Sequence, residues 1–256
     1  TPKPSSAASD VYKRQPVVSR EQWLQARKQH LIHEKAFTRQ RDQLSAERRA
    51  LPWVKIDKPY QFHGPDGPLG LADLFGDHSQ LLVYHFMFAE GWEEGCKGCS
   101  FVADHFDGAN QHLAHHDVAL VAISHAPYAE FQAFRQRMGW HFDWYSSAGD
   151  DFNQDFGVSL SAEQLAQGTA SYNYEQASGD EQELPGLSVF YRNPQGEIFH
   201  TYSTYARGLD LLLGAYNFLD LTPKGRNEEQ IMGWVRHHDR YQATPQGKSS
   251  SCCCDD

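Results

Sequence analysis

The chain has no long apolar run. Its longest, residues 81–88, is broken by His85, so nothing approaches the roughly 18 consecutive apolar residues of a bilayer-spanning helix, and no membrane partner is expected. Cationic charge is also scarce: 23 Lys and Arg stand against 33 Asp and Glu, a formal net charge of −10. Phosphate recognition needs clustered Lys and Arg, so nucleic acid is not an expected partner. Cysteine is confined to two places, Cys96 with Cys99, and Cys252, Cys253 and Cys254. That is not the dispersed even set of a disulfide-stapled secreted domain, and a reducing cytoplasm fits better. The first residues lack a Met and the charged, apolar and small-residue order of a secretory signal. Residues 1–19 are therefore read as a disordered or non-native leader, and export is not expected.

What is present supports one main domain with additions, since 256 residues at 40% hydrophobic content can bury one substantial core. Residues 20–58 form an N-terminal helical extension, because Trp23, Leu24, Ile32, Ala36 and Leu44 are spaced for one or two amphipathic helices before Pro52 stops them. Residues 59–222 carry the main domain. Gly64-Pro65-Asp66-Gly67 signals a hairpin, followed by a short helical turn. Residues 81–88 and 118–123 read as strands buried on both faces. Each precedes a helix, set by Val102, Phe106, Ala109 and Leu113 in the first case and by Phe131, Phe134 and Met138 in the second. Residues 139–183 read as an irregular insertion. Residues 187–191 and 198–202 then form an antiparallel hairpin, and Leu209, Leu212, Leu213 and Tyr216 mark a last helix over residues 207–219. The order βαβα, insertion, ββα is that of an α/β thioredoxin-like fold, a mixed central sheet flanked by helices. Residues 223–256 are expected to form a polar helix ending near Arg240 and a mobile Cys-containing tail.

Cys96-Lys97-Gly98-Cys99 places two thiols on one side of a helical turn, directly after a buried strand. The positive end of a helix lowers a thiol pKa, and the thiolate is the nucleophile. Lys97 would act in the same sense; Glu93 and Glu94 would oppose it if close. Cys96, nearer the helix start, is the better attacking thiol, and Cys99, one turn in, the natural resolving thiol. The same spacing also supplies half of a zinc site, but the other cysteines are distant and no second CxxC accompanies it. Pro185, before the strand at residues 187–191, is suited to a cis bond that would expose the backbone of Leu184 to an extended substrate. Trp92, Lys97, Leu184 and Pro185 are thus the expected substrate contacts, with no metal and no cofactor.

Leu82-Val83-Tyr84-His85-Phe86-Met87-Phe88, the stretch from Trp92 through Cys96 and Cys99 to Phe101, Leu184-Pro185-Gly186-Leu187-Ser188-Val189-Phe190 and the stretch from His200 through Tyr202, Tyr205 and Arg207 to Gly208 resemble a bacterial thioredoxin-like family, domain of unknown function 899. The resemblance implies a dithiol-disulfide oxidoreductase, with Cys96 as nucleophile, Cys99 as resolving thiol and Pro185 as the cis-proline. Thioredoxins carry Trp immediately before the first Cys, whereas here Trp92 lies four residues upstream and Gly95 intervenes, a departure that bears on redox potential. The implied partners are a disulfide-containing protein or small molecule and an external thiol reductant, and a homo-oligomer is compatible with this. Two rivals remain: a thiol peroxidase, in which Cys96 attacks a hydroperoxide and Cys99 resolves the sulfenic acid, and a non-catalytic binding module.

Other constellations carry less. Asp151-Phe152-Asn153-Gln154-Asp155 begins like a calcium loop but has Phe156 and Ala162 where Gly and Glu are needed. His112, His115 and His116 read as solvated, and Tyr202, Tyr205 and Arg207 as packing beneath the sheet. Cys252, Cys253 and Cys254 read as a tail without function, since adjacent cysteines pair poorly with each other.

Overall fold

The computed structural model describes residues 15–177 and 179–241. Cys252, Cys253, Cys254 and residues 1–14 lie outside the described residues. Helix α1 (Arg20–Arg49) is a single 30-residue helix closed by a capping box between Ser19 and Gln22. None of its residues is buried, and Trp23, Leu24 and Ile32 are exposed, so its apolar positions do not join the core. Its last turn touches the domain, with the Arg48 guanidinium 4.8 Å over the Tyr202 ring.

The core is one eight-stranded sheet of order β1-β10-β9-β4-β5-β6-β2-β3. Its strands are β1 (Val54–Lys55), β2 (Gln61–Gly64), β3 (Gly67–Gly70), β4 (Gln80–His85), β5 (Val118–Ser124), β6 (Asp143–Ser146), β9 (Gly186–Arg192) and β10 (Ile198–Tyr205). A separate hairpin joins β7 (Ser171–Tyr172) to β8 (Glu175–Gln176). β4 runs parallel to β5, and β5 to β6, whereas β9 lies antiparallel to β4 and to β10. The β10-β9-β4-β5 order, with helices crossing between β4 and β5, is the thioredoxin-like arrangement. β2 and β3 meet through Pro65-Asp66, where Gly67 takes φ 108°, a conformation glycine tolerates.

Alternation along the central strands builds two cores. Leu81, Val83, Val121, Ile123 and Phe190 face Phe62, Phe75, Phe152 and Phe156. Tyr84, Phe86, Leu120 and Ala122 face the helical layer, α2 (Lys97–Ala103), α3 (Phe106–His115), α4 (Gln132–Met138) and α7 (Gly214–Asp220). The connection after β6 carries two short helices, α5 (Phe152–Asp155) and α6 (Ala162–Gln167).

Four departures from the sequence expectations have local causes. The helix after the cysteines is two helices, because His105 N–H bonds Val102 O at 3.1 Å while the His105 ring Nδ1 takes the Phe101 carbonyl at 2.8 Å. The same ring's Nε2 accepts from Ala215 N–H at 3.1 Å at the start of α7. The irregular stretch contains β6, a sheet strand missed because only Trp144 and Ser146 of its four residues turn inward. The last helix divides into a 3-10 turn (Ala206–Leu212) and α7. The helix expected beyond Pro223 does not form: up to Tyr241 the chain has only a 3-10 turn (His238–Arg240), and it packs by burying Val235 and His237.

Candidate active site

The site stands at the end of β4, the central strand. Phe86 N–H still bonds to Ile123 O at 2.8 Å, and Phe88 O accepts from Ala126 N–H at 3.0 Å, so the chain leaves the sheet held by β5 and the turn after it. It returns at Cys96, whose N–H bonds to Met87 O at 3.2 Å and which caps α2. Gly95 is required by packing: a Cβ there would lie 2.5 Å from a Phe86 ring carbon and 2.9 Å from Phe134. A bulky residue directly before the first cysteine has no room, which explains why the tryptophan sits upstream. His237 fixes the loop from the other side, its Nε2 bonding to Gly95 O at 2.9 Å and its Nδ1 accepting from Arg137 at 3.0 Å.

Cys96 and Cys99 are both free thiols, the first half-buried and the second fully buried. The Cys99 thiol hydrogen-bonds to the Cys96 sulfur, and the N–H groups of Cys99 and Gly98 point to it as well. These bonds outweigh burial and the facing charge of Glu181, bringing the Cys96 pKa down to about 6. Cys99 moves the opposite way, pushed well up by burial and then by Cys96. Two neighbours favour its ionised form to a lesser degree: the Tyr84 hydroxyl and Met87 N–H, the latter 3.5 Å from its sulfur. Glu94 is drawn off by Arg137 at 2.5 Å and Arg240 at 2.9 Å, so its charge does not oppose the thiolate. Alkylation of Cys96 by iodoacetamide is expected to rise with a midpoint near pH 6. A midpoint near the free-thiol value, about 8.5, would contradict these hydrogen bonds.

Beside the pair lies a cavity of about 270 Å³, walled by Tyr84, Val102, Pro185, Leu209, Ile231 and Met232. The chain after α7 returns to form part of this wall. Glu228 accepts from Tyr216 Oη at 2.9 Å, Trp234 Nε1 at 2.9 Å and Met232 N–H at 3.1 Å, holding Met232 at φ 60°. Its sulfur would lie 3.2 Å from a Cβ at position 98, so the small residue between the cysteines is matched to the methionine above it. The Tyr84 hydroxyl is buried and has no partner meeting hydrogen-bond geometry.

Residues 12–241 match the family described as bacterial protein of unknown function, DUF899. The chain belongs to the DUF899 family. No curated protein matches it. Among solved structures, this DUF899 protein is similar to peroxidoxin BcpB from Mycobacterium tuberculosis, at 15% identity over 63% of this chain and 92% of the other, TM-score 0.42. It is similar also to peroxiredoxin Q from Xanthomonas campestris, at 15% identity over 64% and 94%, TM-score 0.38. A third is a thiol:disulfide interchange protein from a Bacteroides species, at 14% identity over 73% and 99%, TM-score 0.39.

Of the residues expected at the site of the DUF899 protein, Cys96, Cys99 and Pro185 line one cavity. Lys97 and Trp92 are exposed and do not line it; Trp92 packs 6.4 Å from Phe88. The Leu184–Pro185 bond is trans, since no cis peptide occurs among the described residues. Leu184 N–H is bonded to Val158 O at 2.8 Å and Pro185 O accepts from Tyr172 Oη at 2.7 Å, so neither group is free for an added strand. Among the described residues no cluster of three or more His, Cys, Asp or Glu is placed to hold a metal, and His112, His115 and His116 are exposed. Leu209, Ile231, Met232, Glu228 and His237 carry no sequence signal that assigns them to the site. Tyr84 alone stood out faintly, as a hydroxyl in an apolar strand.

Proposed function

We propose that this chain is a thiol-disulfide oxidoreductase working through Cys96 and Cys99. The observation that carries this is the asymmetry of the pair: a half-buried thiol with its pKa lowered to about 6, directly against a fully buried thiol pushed the other way. The first is a thiolate at neutral pH and can attack; the second keeps its proton until a mixed disulfide forms. In that sequence the Cys96 thiolate attacks one substrate sulfur, the substrate S–S bond breaks, and the other half leaves as a thiolate. Cys99 then attacks the Cys96 sulfur and its proton passes to the departing second thiolate. The two protein sulfurs end as a disulfide, having given two electrons, and an external thiol restores them.

Tyr84 is the group placed to assist the second step. Its own pKa is raised by burial, so it stays protonated and acts as a donor to the Cys99 sulfur as that sulfur ionises, not as a base. A hydrogen bond to an ionised group is worth about 1.5–3 kcal/mol. Tyr84→Phe is therefore expected to slow resolution of the mixed disulfide about tenfold or more, while the Cys96 alkylation profile stays in place. Resolution at the parent rate would remove Tyr84 from the step.

The test of the whole proposal is a comparison of disulfide and hydroperoxide as oxidants of the reduced protein. Oxidation by a generic disulfide is expected to exceed that of a free thiol and to vanish in Cys96→Ser. If Cys96→Ser retains it, the proposal fails. If hydroperoxide oxidises Cys96 much faster than free cysteine while disulfides do not, the site is a peroxidase instead.

A further inference from the structure

The cavity beside Cys96 bears on what the disulfide substrate is. Its wall is almost entirely carbon, from Val102, Pro185, Leu209, Ile231 and Met232. The two charged residues at its edge are already engaged: Asp210 accepts from Arg207 at 3.0 Å and from Arg226 at 3.1 Å. The one lining charge left over is the Cys96 thiolate itself, which repels a carboxylate, and an anionic ligand would lose its water without gaining a partner. The volume, about 270 Å³, lies at the small end for ligand pockets. Of the backbone groups expected to receive an extended strand, Leu184 N–H and Pro185 O are already bonded to Val158 and Tyr172. A small apolar molecule is what these surroundings favour.

We infer that the substrate taken by this cavity is a small, uncharged organic disulfide. This rests on the dithiol proposal above and uses the same two steps. One half of the molecule becomes bonded to Cys96 with its apolar body against Leu209 and Met232, and the other half leaves as a thiolate. Cys99 then releases the bound half as the second thiol, so one disulfide is reduced to two thiols for each protein disulfide formed. The apolar wall rewards burial of the substrate body, and charge on that body is penalised.

The test uses the full-length protein, reduced and freed of reductant, mixed at pH 7 with dithiodipyridine, which is uncharged, or with dithiobis(nitrobenzoate), which carries two carboxylates. Released thiol is followed by absorbance, and each rate is divided by that of dithiothreitol with the same disulfide to remove intrinsic reactivity. The normalised rate is expected to favour the uncharged disulfide by about tenfold or more. Ile231→Glu, at an exposed position on the rim, is expected to widen the gap by slowing the carboxylate-bearing disulfide further. Equal normalised rates for the two disulfides in the parent protein overturn the substrate assignment and leave Cys96–Cys99 exchange standing. Absence of Cys96-dependent reaction with either ends the dithiol proposal and the assignment together.

Discussion

Cys99→Ser is expected to leave the protein joined to its substrate through a stable mixed disulfide at Cys96. The half-buried Cys96 still reaches the substrate, and its thiolate still forms, because a serine hydroxyl and the N–H groups of Gly98 and residue 99 remain close to it. What is lost is the second nucleophile: a hydroxyl does not ionise or attack sulfur under these conditions. One equivalent of adduct, seen by mass spectrometry under non-reducing conditions and absent from the double Cys96→Ser, Cys99→Ser variant, is the expected readout, with turnover all but abolished. Cys99→Ala separates the two roles of Cys99. It removes the largest cause of the low Cys96 pKa, so the alkylation midpoint is expected to move up from about 6. Release of product by Cys99→Ser at the parent rate would mean that Cys99 is not the resolving thiol.

The second large effect lies on the opposite face of the sheet, at His85. Its Nε2 is 2.8 Å from Ser188 Oγ, which is 2.8 Å from Ser203 Oγ, which is in turn 2.7 Å from His200 Nε2. The His85 ring lies against Phe152 and Phe156, and its Nδ1 has no partner. Burial first, and then His200, lower its pKa to about 3. The folded state thus holds a neutral ring where the unfolded chain binds a proton below about pH 6.5. Stability from this group is complete above the unfolded pKa and is lost as pH falls, at about 1.4 kcal/mol per pH unit until the folded pKa is reached. His200, also lowered by burial, acts in the same sense. His125 acts oppositely, since Glu183 raises its pKa, but it is more than one-third exposed and its share is screened. Denaturant titrations of the parent and of His85→Gln between pH 6.5 and 4.5 are the check, because the lowered carboxylates contribute mainly below that window. His85→Gln is expected to flatten the slope by about one proton's worth; an unchanged slope would mean that His85 is protonated in the folded protein.

The two faces of β4 show why so much of the architecture was readable. Leu81 and Val83 on one side and Tyr84 and Phe86 on the other are all buried, so the strand is apolar without alternation and stands out in the sequence. β5 carries the same mark, and β9 is legible from the hairpin loop that joins it to β10. β6 does not, with only two inward residues, and neither does β1, two exposed residues paired to the edge of β10. The stretch beyond Pro223 misled for a related reason: its buried residues, Val235 and His237, follow no helical period, because it is held by individual bonds to Gly95 O and Glu228.

At the site the division is sharper. The spacing of Cys96 and Cys99 and their place between a strand and a helix are local facts, and the groups that lower the Cys96 pKa lie within one turn of it, whereas the burial that pushes Cys99 up is tertiary. The cavity is not local. Tyr84 is turned toward Cys99 by the pleat of β4, Pro185 comes from the start of the neighbouring β9 and Leu209 from the turn after β10, both distant in the chain, and Met232 is laid over Gly98 by a carboxylate that holds a left-handed backbone. The βαβ frame and the Cys96–Cys99 pair at its mouth are legible in the sequence, because burial on two faces and a three-residue spacing leave periodic traces. What surrounds that pair is set by contacts between residues distant in the chain, which depend on strand order and on the return of the C-terminal segment, neither of which has a sequence period.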